Sequence, residues 1–172
     1  MSFRTNLFRA LRFGFAAGLL MAGARADVRP GDLFPSLAGA DLNGGVLPVT
    51  AGKVVLVDFW ASWCAPCKAS FPIYARIQSD YAARGLVIVA VSVDEKASDF
   101  AAFVHKLAPP FATVRDQSQK LVASVDVPTM PTSFLLGRDG KVRFMHVGFY
   151  GAETDKTIRA ELDRLLAEGP SP

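Results

Sequence analysis

The sequence predicts an α/β fold, a central mixed β-sheet flanked by helices and preceded by an N-terminal hairpin extension. Three observations carry this. Two almost wholly apolar, β-branched runs, at 53–60 and 86–93, are each followed by a stretch of helical periodicity. Two later strands, at 133–136 and 141–147, are joined by the turn sequence Gly137-Arg138-Asp139-Gly140. An amphipathic segment from about Glu153 follows them. Strand–helix–strand units bring parallel strands together and a hairpin adds antiparallel ones, so the sheet is mixed, with helices on both faces.

Each element has its own local reason. Residues 27–52 are rich in Gly, Pro, Asp and Asn, and Leu42-Asn43-Gly44-Gly45-Val46 carries an Asn-Gly turn signal, which reads as a hairpin or loose extension. Val54-Val55-Leu56-Val57-Asp58-Phe59-Trp60 suits a strand buried on both faces, with Asp58 as the anomaly. A helix is expected over 64–83, bent by Pro72 and ended by Gly85. Phe100, Phe103, Val104 and Leu107 recur at helical spacing, and Pro109-Pro110 stops that helix. Residues 111–126 are ambiguous between a short strand at 111–114 and a helix at 117–124. In the last helix Ile158, Leu162, Leu165 and Leu166 share one face and read as ordinary core.

The first 26 residues stand apart. Arg4, Arg9 and Arg12 precede an apolar run at 13–24, and Ala24-Arg25-Ala26 offers small residues where a signal peptidase reads. The layout predicts a signal peptide at 1–26, cleavage before Asp27, and one domain over 27–172. The rival is an uncleaved anchor, but the run falls short of the ~20 residues that a spanning helix needs. Four of the 19 basic residues lie in this leader with no acid, which leaves 15 basic against 16 acidic residues beyond it. With no basic cluster remaining there, a nucleic-acid partner is not expected.

Only two cysteines are present, Cys64 and Cys67, both in Trp63-Cys64-Ala65-Pro66-Cys67-Lys68. A bridge between them closes too small a loop to stabilise much, so the pair is placed to react. A thiolate is the attacking species, and a helix N-terminus stabilises negative charge. Cys64 is therefore expected to be the exposed, low-pKa nucleophile and Cys67 the shielded resolving thiol. Asp58 has two readings. It is either a buried carboxylate that exchanges the Cys67 proton, or an exposed strand-end acid paired with Lys53 or Lys68. No cofactor is expected. No metal is expected either, since a structural zinc site wants four ligands and only His105 and His146 remain, far apart in sequence. His146 is expected to be a partly buried or surface residue.

The segment 57–68, Val57-Asp58-Phe59-Trp60-Ala61-Ser62-Trp63-Cys64-Ala65-Pro66-Cys67-Lys68, resembles the active-site segment of the thioredoxin superfamily. The resemblance covers about residues 30–168 and implies the thioredoxin fold. It places Pro72 where the family bends its active-site helix and Pro131 at a cis-proline, against the rival Pro128. It also implies that Gly148 keeps a substrate groove open. Trp63, Met130, Pro131 and Gly148 are thereby expected to contact a partner peptide, which would pair with the Met130 backbone as an added strand. With the leader, the chain is similar to the exported TlpA/ResA-type branch. That implies a periplasmic protein-disulfide reductase serving cytochrome c maturation or metal-site assembly, recharged by a membrane electron donor. One departure stands out. Ser70 occupies the helix position where that branch often carries Glu, and the acid lies on the strand at Asp58 instead. The competing functions are a disulfide-forming oxidase or isomerase on the same fold, and a copper-binding chaperone. No Met or His cluster accompanies the thiols to favour copper.

Overall fold

The computed structural model describes residues 28–169; the signal peptide assigned to residues 1–26 lies outside the described residues. Six strands are β1 (Leu42–Asn43), β2 (Val54–Trp60), β3 (Leu86–Ser92), β4 (Ala112–Asp116), β5 (Thr132–Leu136) and β6 (Val142–Val147). Four α-helices are α1 (Ala65–Tyr81), α2 (Ala97–Leu107), α3 (Lys120–Ser124) and α4 (Ala152–Ala167). The strands form one sheet in the order β1-β4-β3-β2-β5-β6. β2, β3 and β4 run parallel, while β1, β5 and β6 each pair antiparallel with a neighbour. The sheet is mixed, as expected.

All seven residues of β2 are buried, because the strand lies centrally and both of its faces are covered. Its alternation separates two apolar layers. Val54, Leu56 and Trp60 join Phe71, Tyr74 and Ile77 of α1, Phe100 of α2, and Ile158 and Leu162 of α4. Val55, Val57 and Phe59 face the other way, onto Leu121 of α3 and the N-terminal residues Val28, Phe34 and Leu37. Asp58 belongs by parity to the first layer. It stands there between Leu56 and Trp60, where an apolar side chain would be expected.

The N-terminal hairpin is not formed. Leu42 and Asn43 instead pair with Asp116 and Arg115 of β4, so this segment closes one edge of the sheet as a two-residue strand. Gly44 and Gly45 serve close approach and not a hairpin turn: a Cβ on Gly45 would lie 2.2 Å from the Thr113 carbonyl oxygen. The ambiguous stretch at 111–126 resolves into β4 followed by the single-turn helix α3. α1 continues through Pro72 to Tyr81. In β6, His146 is largely buried and sits 2.6 Å from Glu161 of α4 through Nε2.

Candidate active site

The site forms where β2 ends and α1 begins. Cys64 is the N-cap of α1, with extended backbone, and its Sγ accepts a hydrogen bond from the Cys67 N–H at 3.2 Å. Ala65 and Pro66 open the first turn, where a proline loses no helical hydrogen bond. Cys64 and Cys67 are joined as a disulfide, their Cα atoms 5.3 Å apart. The sulfur at the helix mouth thus faces the unpaired N–H groups and positive end of the helix, which favour a thiolate. The expected contrast in exposure is narrower than the spacing implied. Cys64 is only 5% exposed and Cys67 fully buried, so Cys64 is reached through a small aperture.

The entry loop 61–63 is held from below. The buried Asp94, just after β3, accepts from the Ser62 N–H at 3.1 Å, the Ser62 hydroxyl at 2.9 Å and the Ser92 hydroxyl at 2.8 Å. Arg115 of β4 donates to the backbone carbonyls of Asp94 and Glu95. Trp63, at the crest of the loop, is 70% exposed.

Asp58 is fully buried, which excludes the strand-end reading and pairing with Lys53 or Lys68, both exposed. Its Oδ1 accepts from the Tyr74 hydroxyl at 3.2 Å, and its Oδ2 is buried with no hydrogen-bond partner among the described residues. Burial pushes the carboxyl well above the usual carboxylate range, and the Tyr74 bond partly opposes that. The Tyr74 hydroxyl is in turn pushed up by burial and by the Asp58 charge. Ser133 lies directly across from Asp58 on β5, and its influence partly opposes the rise of the Tyr74 hydroxyl.

The Met130–Pro131 peptide bond is cis, and Pro131 leads into β5 beside the end of β2, where Thr132 pairs with Phe59. The Gly148 N–H donates to the Pro131 carbonyl at 2.8 Å, and Gly148 has φ +82°, a conformation suited to glycine. The structure therefore gathers Cys64, Cys67, Asp58, Trp63, Met130, Pro131 and Gly148 around one end of the sheet. His105 is exposed on α2.

The family model for thioredoxin-like proteins matches residues 52–142. The chain belongs to the thioredoxin-like family. The thiol-disulfide oxidoreductase ResA of Bacillus subtilis is 32% identical over 143 residues, covering 81% of this chain and 80% of that protein. The ResA of Bacillus anthracis is 33% identical over 110 residues, or 63% of this chain, and the match spans 64% of that relative's length. A Chlorobium tepidum structure described as a thiol:disulfide interchange protein DsbE superposes with a TM-score of 0.74 at 34% identity, covering 81% of this chain and 99% of that one.

Within this thioredoxin-like frame, sequence reasoning missed the partners of the buried acid. Tyr74 carried a signal: it lies seven residues after Cys67, two helical turns along the same face. Ser133 carried none, because its role depends on the pairing of β5 with β2. Asp94 was equally silent, since nothing local tells that it reaches back to Ser62. Ser70 is buried and donates to the Cys67 carbonyl at 2.9 Å. Among the described residues no three or more His, Cys, Asp or Glu converge as a metal site, and no helix is long and apolar enough to cross a membrane.

Proposed function

We propose that this protein is an exported, periplasmic thiol:disulfide oxidoreductase that reduces disulfides of partner proteins through the Cys64–Cys67 dithiol. The observation that carries the reading is the CxxC pair at the N-cap of α1, one sulfur at the aperture and the other buried behind it. In the reduced protein the Cys64 thiolate attacks a partner disulfide and forms a mixed disulfide, releasing one partner sulfur as thiolate. Cys67 then gives its proton to the Asp58 carboxylate, and its sulfur attacks Cys64. The Cys64–Cys67 bond forms, the bond from Cys64 to the partner breaks, and the second partner thiolate leaves with the electron pair. Two electrons have passed to the partner, and a membrane electron donor restores the dithiol.

Trp63, Met130, Pro131 and Gly148 would hold the partner segment beside Cys64, with the backbone at Met130 as the pairing edge. Export rests on the leader at 1–26. The direction of electron flow rests on Ala65, which brings no charge to stabilise a thiolate strongly. Service in cytochrome c maturation or metal-site assembly is part of this proposal and rests on the resemblance of the leader and of segment 57–68 to the exported TlpA/ResA-type branch.

The test uses the protein from Asp27 onward. Cys64→Ser abolishes exchange with a model protein disulfide, whereas Cys67→Ser accumulates the mixed disulfide. Full activity in either variant overturns the reading. The reduction potential of the pair is expected to be strongly reducing, and a value near that of a dedicated oxidase reverses the direction. Cu(I) loading followed by spectroscopy separates the copper-chaperone alternative. Asp58→Asn slows resolution of the mixed disulfide on the order of 10²-fold without unfolding the protein. Unchanged turnover across about pH 6 to 9 removes Asp58 from the mechanism.

A further inference from the structure

Asp58 is an acid without a base. No lysine or arginine approaches it among the described residues, and the only side chain bonded to it is a phenol. A bare carboxylate in this layer would be held protonated by desolvation, and a protonated Asp58 cannot accept a proton from Cys67. Something must offset that cost for the acid to work as a base near neutral pH.

Tyr74 is fitted to do so. Its ring is 1% exposed and packs edge-on against Phe149, with centroids 6.3 Å apart, so the hydroxyl is fixed in place. It donates to Asp58 Oδ1 at 3.2 Å. Ser133, on the strand paired with β2, lies directly across from Asp58. We propose that Tyr74 is a positioning residue for this chemistry, its hydroxyl holding the Asp58 carboxylate in the form that takes the Cys67 proton. The inference rests on the role given to Asp58 above.

The other titratable groups near Asp58 are few. α1 carries Cys67 and Tyr74 in the same apolar layer. β3 sets the apolar Ala90 beside Asp58. Beyond Ser133, β6 contributes His146 and α4 contributes Glu161, and these two bond to each other. None of these donates to the carboxylate, so loss of the phenol leaves it without a hydrogen bond.

The experiment reads the Asp58 carboxyl directly, by isotope-edited infrared or carbon NMR, in the oxidised protein where neither cysteine titrates. Disappearance of the signal in Asp58→Asn assigns it. Tyr74→Phe keeps the ring and removes the hydroxyl, and its midpoint is expected to rise by about one pH unit. Tyr74→Leu likewise removes the hydroxyl, is expected to raise the midpoint too, and serves where Tyr74→Phe does not fold. In the reduced protein the pH profile of mixed-disulfide resolution should move up by the same amount, about tenfold slower on its rising limb. Tyr74→Phe should be silent when Asp58 is already Asn. An unmoved or lowered midpoint in a folded variant overturns the inference. If Asp58→Asn itself leaves resolution unchanged, the role of Asp58 fails, while the carboxyl midpoint still reports on Tyr74.

Discussion

Asp58 and Asp94 are both buried aspartates near the ends of parallel strands, yet the fold treats them oppositely. Asp94 is surrounded by donors: two serine hydroxyls and a backbone N–H satisfy it, and it fastens the loop that presents Trp63 and Cys64. Asp58 receives a single hydrogen bond and keeps one oxygen unpaired, which is the condition for a group that must change its proton. Substituting Asp94 by Ala should therefore act through the scaffold. Leaving the Ser62 and Ser92 donors unpaired is expected to cost about 2–3 kcal/mol in denaturant unfolding, with slower thiol exchange as the loop loosens. An Asp94→Ala protein with unchanged stability would show that the loop finds other acceptors. At this scale the sequence was informative about Asp58, because a carboxylate in an apolar, β-branched run is visible without a structure. It was silent about Asp94 and Ser133, whose partners are distant in the chain.

At the level of elements, the N-terminus of α1 was readable from six residues, since an apolar strand, a short turn and a proline in the first helical turn specify one another. The cis-proline segment was readable only by resemblance; the Met130–Pro131 bond is cis, and β5, which follows it, pairs with β2. β1 was misread. Asn43-Gly44 has the composition of a hairpin turn, but composition cannot distinguish a glycine needed for a turn from one needed for close approach. Here Gly44 lies against the Phe100 ring of α2 and Gly45 against the backbone of β4. Gly45→Ala is expected to push β1 off the sheet edge and cost about 1–3 kcal/mol, read as a lowered denaturation midpoint. Amide exchange at Asp116 and Arg115 should accelerate at the same time. Retained protection there would mean that the edge pairing tolerates the added methyl.

For the molecule as a whole, one charged group inside the sheet couples stability to pH. The folded carboxyl of Asp58 holds its proton to a higher pH than an unfolded aspartate, whose value is about 3.9. The stability tied to that proton is fully present below about pH 3.9 and is lost as the pH rises through the folded value. Asp58→Asn, which does not titrate, should melt close to the parent in acid and progressively above it as the solution turns alkaline. A constant gap between the two melting curves would show that burial does not perturb the group. The two-layered core was legible in outline, from the parity of β2 and the stripe on α4. The order of the strands was not, because it is set by which pairs of distant segments meet.

The two tryptophans of the chain sit three residues apart in sequence and in opposite environments, Trp60 sealed in the core and Trp63 at 70% exposure beside the disulfide. The protein thus carries two built-in optical probes. Trp60 should emit at short wavelength and report only global unfolding, whereas Trp63 should emit further to the red and feel both the nearby sulfurs and any docked segment. Recording the emission of Trp60→Phe and Trp63→Phe variants separately would let docking be followed without an added label.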